Sequence, residues 1–196
     1  MELKRIVVAS GNQHKIDEIR QIFPDVNFVS MHDLGFNEEI EETGSTFKEN
    51  ACIKAEAVCK ILNLPTLADD SGLCVDMLDG APGVYSARFS GRGEKANRDL
   101  LLRRMKDTDN RRAHFECVMC LCLPDGQKFY GEGRTYGKIL TEETGENGFG
   151  YDCLFFSDDL EKSFAECSPE EKNSVSHRRR ALEDLKKNLS LEETEE

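Results

Sequence analysis

The sequence predicts an α/β fold in which helices flank a mixed β-sheet. Two observations carry the prediction. Strand-like and helix-like patterns alternate from Arg5 to Leu78. Two further strand-like runs then flank Pro124-Asp125-Gly126-Gln127, which reads as a hairpin turn. With 196 residues, 38% of them hydrophobic, the chain is long enough for a real core. No repeat or linker interrupts it, so residues 1–190 are expected to form one domain, with 191–196 as an acidic tail.

Arg5 to Ala9 is a short β-branched run, broken by Ser10-Gly11-Asn12. Ile16, Ile19 and Phe23 then recur at helical spacing until Pro24 stops them. Backbone N–H groups at such a strand-to-helix turn attract anions, and Lys15 lies one helical turn in. Ser10 or Asn12 as a plain helix cap accounts for the same residues. Phe28 to Met31 is a second strand, and Glu38 to Glu42 an acidic run that serves as a solvated loop or a distant metal ligand. Thr46 or Ser45 caps the next helix, with Glu49 placed for a capping box. Its apolar stripe is Phe47, Ala51, Ala55, Val58 and Leu62. Lys54 falls within about 20° of Phe47 on a helical wheel, inside that stripe. Its ammonium either meets a phosphate or carboxylate there or snorkels to the edge.

Leu67-Ala68 ends a buried strand, and Ser71-Gly72 predicts a turn after Asp69-Asp70. Neighbours in a strand point to opposite faces, so both aspartates reach one site only if the chain bends there. Paired carboxylates suit a hard cation such as Mg²⁺. Leu73 to Leu78 is another strand; Asp79 to Gly91 is loop, with Arg88 a phosphate clamp or a surface arginine. A helix over Asn97 to Met105 precedes a strand at Phe115 to Leu123, apolar on both alternating faces and so read as central and buried. Thr144 to Asp152 is a glycine-punctuated loop, with Phe149 as a stacking face and Asp152 as acceptor, leading to a strand at Cys153 to Phe156. Ser168-Pro169-Glu170-Glu171 opens one helix; Ser176-His177-Arg178-Arg179-Arg180 opens the last, in which the first arginine is the inward one.

Composition excludes some functions. A net charge of −12 argues against broad nucleic-acid binding but leaves room for a small anion in a basic pocket. No stretch has the length of a membrane span, and Ile6 to Ala9 is too short for a secretory signal, so a cytoplasmic protein is expected. Cys117, Cys120 and Cys122 with His114 resemble half a zinc site, but the other half is missing, and buried reduced thiols explain the eight cysteines better.

Six of these segments, in this order, resemble the inosine triphosphate pyrophosphatase family, the XTP/dITP diphosphatases. They are Ser10-Gly11-Asn12-Gln13-His14-Lys15, Glu41 to Gly44 with Phe47 to Lys54, Leu67 to Leu73, Gly80 to Phe89, Gly148 to Asp152, and Lys172 with Ser176-His177-Arg178. The resemblance implies a long mixed sheet folded as two lobes around an active-site cleft, and usually a homodimer. It implies Mg²⁺-assisted hydrolysis of ITP, dITP and XTP to the monophosphate and pyrophosphate, which clears deaminated purines. By the same resemblance Ser10, Gly11, Asn12, Gln13, His14 and Lys15 hold the triphosphate. Glu41 and Asp70 hold the metal, with Glu42 as substitute for Glu41 and Asp69 sharing Asp70's role. Asp70 is the base for water, and Lys54 meets phosphate. Ser71 and Arg88 line the cleft; Phe149, Gly150, Tyr151, Asp152, Lys172, His177 and Arg178 form the base pocket. The family often carries Gly-Thr-Gly-Gly where this chain has Gly145-Glu146-Asn147-Gly148. Two rivals are a Maf-like nucleotide pyrophosphatase with another base preference and a non-enzymatic nucleotide-binding protein on the same fold.

Overall fold

Every residue from Cys117 to Leu123 is buried, and the two faces of this strand serve two different cores. Cys117, Met119 and Leu121 pack with Leu67 and with helical residues Ile16, Ile19, Ala181, Leu182 and Leu185. Cys120 and Cys122 pack on the opposite side with Ala68, Ala51, Ala55 and Val58. A strand covered on both faces has no polar side to show, so the alternation disappears from its sequence. The computed structural model describes residues 5–192. The acidic tail beyond Glu192 and the start of the chain before Arg5 lie outside the described residues.

The strands are β1 (Ile6–Val8), β2 (Phe28–Ser30), β3 (Thr66–Val75), β4 (Arg112–Cys122), β5 (Lys128–Ile139), β6 (Phe155–Ser157) and β7 (Lys162–Ser163). They form one sheet in the order β2-β1-β3-β4-β5-β6-β7. β1 is parallel to both β2 and β3, with Ile6 opposite Phe28 and Val7 opposite Thr66. β6 is antiparallel to β5 and to β7. The sheet is therefore mixed, as expected. The helices are α1 (Gln13–Ile22), α2 (Phe47–Leu62), α3 (Glu94–Arg104), α4 (Pro169–Val175) and α5 (His177–Glu192). None of the described helices is long and apolar enough to cross a membrane.

The chain divides into two compact units. The first comprises 5–70, 117–133 and 178–192, and contains β1, β2, α1, α2 and the two cores just described. The second comprises 71–116 and 134–177. Its core is built from Leu73, Val75, Leu101, Phe115, Phe155 and Phe164. Each of β3, β4 and β5 supplies residues to both units.

Local signals explain most helix starts. Thr46 and Glu49 form the reciprocal capping box of α2, and Ser168 with Glu171 forms that of α4, whose first residue is Pro169. Four expectations need correction. Asp69-Asp70-Ser71-Gly72 is no turn: β3 runs unbroken through it, because all its positions but Ser71 are buried and side chains take up backbone groups beyond the end of β1, Lys54 donating to Asp69 O and Ser86 Oγ accepting from Leu73 N. The strand ends at Val75, and Asp76–Leu78 is a 3₁₀ turn. A second 3₁₀ turn, Asp152–Leu154, delays the next strand to Phe155. α3 starts at Glu94, earlier than Asn97, because the buried Asn97 side chain accepts from Ser90 and donates to Ala87 and so anchors the helix to the preceding loop.

Candidate active site

The unbroken run of β3 from Thr66 to Val75 decides where its two aspartates point. Successive side chains leave a strand on opposite faces. Asp69 goes toward the α1 and α5 side, where Lys15 Nζ lies 3.1 Å and Arg178 3.2 Å from its Oδ2. Arg178 also forms an ion pair with Glu18 of α1 and is 1% exposed. Burial pushes the Asp69 carboxyl up, but Lys15, Arg178 and Lys54 outweigh it and hold it well below the usual carboxylate range. Asp69 is thus an ionised structural hub for cations.

Asp70 leaves the opposite face. Asn50 Nδ2 of α2 donates to its Oδ2 at 3.0 Å, while Asn50 Oδ1 accepts from Gly44 N at 2.8 Å. Burial raises the Asp70 carboxyl against the pull of Lys54 and Asn50, and the Glu42 carboxylate adds to the rise. Lys54 is no snorkelling residue: its ammonium pairs with Glu42 and donates to Asp69 O at 2.7 Å. Charge from Asp69, Asp70 and Glu42 overcomes the burial that would lower its pKa. Glu41 is exposed and its side chain makes no hydrogen bond or ion pair among the described residues, whereas Glu42 is turned to Lys54.

The loop from Ser10 to Lys15 is an N-terminal cap. Ser10 Oγ accepts from Asn12 N at 3.1 Å, and Asn12 Oδ1 accepts from Lys15 N. Gly11, Asn12, Gln13 and His14 are exposed, so the first turn of α1 presents its N–H end to solvent. The first unit therefore gathers an open helix N-terminus, two lysines and a carboxylate pair, Asp70 and Glu42.

The second unit holds the remaining candidates. Lys172 Nζ sits 2.7 Å from Asp152 Oδ2 and 4.6 Å from the centre of the Phe149 ring. Phe149 N donates to the same carboxylate at 2.9 Å. Gly148 has a positive φ, and a Cβ there would run into Asp152, so glycine is required to close this loop. Gly150 is clamped from α3: its N donates to Glu94 and its O accepts from Arg98 at 3.1 Å. Tyr151 is buried and donates to Ser86 O at 2.8 Å, and His177 stacks on Phe115 at 5.0 Å. Ser71 is half-buried on β3, and Arg88 is exposed with its guanidinium over Tyr85.

The structure brings Lys15, Lys54, Asp69, Asp70 and Arg178 together in one unit, and Phe149, Gly150, Tyr151, Asp152, Lys172 and His177 in the other. Arg178, expected beside the base, has its guanidinium held by Glu18 and Asp69. Sequence reasoning missed Glu18 and Asn50. Glu18 stands three residues after Lys15, on the same helix face, and Asn50 shares the apolar face of α2 with Lys54; both spacings were readable.

A family model described as the Ham1 family matches residues 6–188. A dITP/XTP pyrophosphatase of Clostridium perfringens is 44% identical over 199 residues, covering 95% of this chain and 98% of that protein. One from Staphylococcus aureus is 44% identical over 182 residues, covering 92% of this chain and 93% of that protein. The solved structure of the Staphylococcus aureus Ham1 protein superimposes with a TM-score of 0.86 at 44% identity, covering 96% of this chain and 100% of that one. The sequence resemblance is borne out, and the chain belongs to the Ham1 family.

Proposed function

We propose that the protein hydrolyses non-standard purine nucleoside triphosphates, dITP, ITP and XTP, to the monophosphate and pyrophosphate. The observation that carries this is Asp70: a buried carboxylate of raised proton affinity, held by Asn50 and flanked by Lys54 and Glu42. Relatives 44% identical over nearly the whole chain bear the name dITP/XTP pyrophosphatase.

The triphosphate needs donors. The N–H end of α1 supplies several, and Lys15 adds charge. Lys54 has three N–H donors and uses two on Glu42 and Asp69 O, leaving one for a phosphate oxygen. Asp70 with Glu42, or with Glu41, offers only oxygen donors, and the mutual repulsion evident at Asp70 is what a hard cation relieves. This fits Mg²⁺, which when bound neutralises phosphate charge and orients the α-phosphate. Asp70 is then the base. It takes a proton from water as the water oxygen attacks the α-phosphorus and the bond to the bridging oxygen breaks. Lysine charge stabilises the pyrophosphate that leaves.

Base choice follows from Lys172. Hypoxanthine and xanthine present an acceptor at position 6, which an ammonium can satisfy; adenine presents a donor there. A site built on such hydrogen bonds discriminates by about 10⁴ or more. Phe149 supplies the stacking face. The enzyme is read as a cytoplasmic homodimer without a nucleic-acid partner, on the family resemblance, its reduced thiols and its charge of −12; sedimentation tests the dimer. The test of function is a panel of ITP, XTP, dITP, GTP, ATP and UTP, with and without Mg²⁺, read by pyrophosphate release. Mg²⁺-dependent release from ITP, dITP and XTP well above ATP is expected. A preference for UTP, or no turnover at all, overturns the proposal.

A further inference from the structure

His114 finds no zinc partner in Cys117, Cys120 or Cys122, but it does face another thiol. β3 and β4 are neighbours, and in the second unit their odd-numbered residues Leu73, Val75, Ala113 and Phe115 fill the core. The even-numbered residues therefore share the other face. Cys74, His114 and Glu116 meet there, and one donor atom from each lies within 4.8 Å of the other two. We propose that these three residues form a binding site for a zinc-class divalent cation, separate from the Asp70 carboxylates and with no part in the hydrolysis.

Three things support it. The donor set is a thiol, an imidazole and a carboxylate, the mixture that selects zinc over magnesium. Donors around one zinc sit about 3.3–3.8 Å apart, as bond lengths of about 2.0–2.3 Å at the tetrahedral angle require. The three donors, all within 4.8 Å of one another, lie at most about 1 Å beyond that range. The surroundings already call for positive charge: Arg134 grips Glu116 with two hydrogen bonds of 2.9 and 3.2 Å, and His114 Nε2 lies 3.4 Å from the same carboxylate. The Arg134 side chain is half-exposed and can return to water when a metal takes its place. Cys74 is buried, and burial with the Glu116 carboxylate pushes its thiol up to about 11. A coordinated cation reverses that balance, and the S–H proton passes to solvent as the metal–sulfur bond forms. Three protein donors leave a fourth position open.

The test uses the full chain, stripped with a chelator and supplied with excess Mg²⁺ to occupy the oxygen-donor site, then titrated with Co²⁺ alone. A sulfur-to-cobalt charge-transfer band that saturates at one ion per chain and is displaced by Zn²⁺ is expected. Cys74→Ser removes the band, and His114→Ala and Glu116→Gln weaken binding by at least about tenfold. Cys153→Ser, which alters a thiol elsewhere in the second unit, keeps it. Circular dichroism verifies that each variant is folded. Absence of the band in the unmodified protein, its survival in Cys74→Ser, or unchanged affinity in both His114→Ala and Glu116→Gln overturns the proposal. None of these outcomes depends on nucleotide turnover.

Discussion

Asp69 and Asp70 are neighbours with the same side chain and opposite chemistry. Burial raises both, but Lys15, Arg178 and Lys54 together pull Asp69 below its ordinary value, whereas at Asp70 burial and the Glu42 carboxylate outweigh Lys54, Asn50 and Lys15. Only Asp70 is therefore suited to accept a proton. Asp70→Asn keeps the shape and loses the base, so kcat for dITP is expected to fall about 10²–10⁴-fold, with a much smaller change in KM; steady-state pyrophosphate release measures both. Near-normal kcat would remove Asp70 from that role. In the second unit, Lys172→Met removes the donor proposed for position 6 and leaves Asp152 buried beside it. The preference for ITP over ATP is expected to shrink by about tenfold or more, read as the ratio of kcat/KM values.

At the scale of elements, the close approach of α5 to β5 is set by a missing side chain. A Cβ on Gly131 would collide with Ala181 O and lie 2.5 Å from Leu185 N, both helix backbone atoms that cannot rotate away. Gly131→Ala is therefore expected to destabilise the protein by about 1–3 kcal/mol through overpacking. The urea midpoint should fall with little change in the slope of the transition. α2 illustrates a second point. One helix carries a cap at Thr46, the Asp70 clamp at Asn50 and the lysine proposed to meet phosphate, Lys54, each four residues from the last. These positions share one face, so correct folding of α2 also presents the site.

For the whole molecule, the acid limit of stability follows from Asp69. Its folded pKa is depressed relative to the unfolded chain, so its contribution is fully present above about pH 4, the usual aspartate value. It is lost as pH falls toward the lower folded value. Asp69→Asn leaves buried Arg178 with Glu18 as its remaining carboxylate and takes from Lys15 its Asp69 partner, and is expected to cost about 3–5 kcal/mol at neutral pH. Below pH 4 the stability of the unmodified chain should drop more steeply than that of the variant, in urea melts taken across pH. Parallel curves would show that the Asp69 network holds nothing together. The expected ionisation of carboxylates also leaves the net charge of −12 in place at neutral pH, the reason a nucleic-acid partner is not expected.

Period and punctuation were enough to read the α/β class, the capping boxes of α2 and α4, the buried central strand β4 and the odd position of Lys54, because each is a local relation between residues a turn or a strand apart. The order of the six motifs was enough to indicate the family. Tertiary structure alone decided that Asp69-Asp70-Ser71-Gly72 is the middle of a strand. Ser71 and Gly72 favour a turn in isolation, but burial of their strand neighbours and the side chains of Lys54 and Ser86 that bond its backbone outweigh that preference. It decided that Glu42 is the one turned to Lys54, that Arg178 is held by Glu18 and Asp69, and that His114 meets Cys74. Those partners are 12, 109 or 160, and 40 residues apart in the chain, and no local pattern encodes contacts at such separations. The split of the two aspartates, Asp69 toward Lys15 and Arg178 and Asp70 toward Asn50, is the consequence of an unbroken β3.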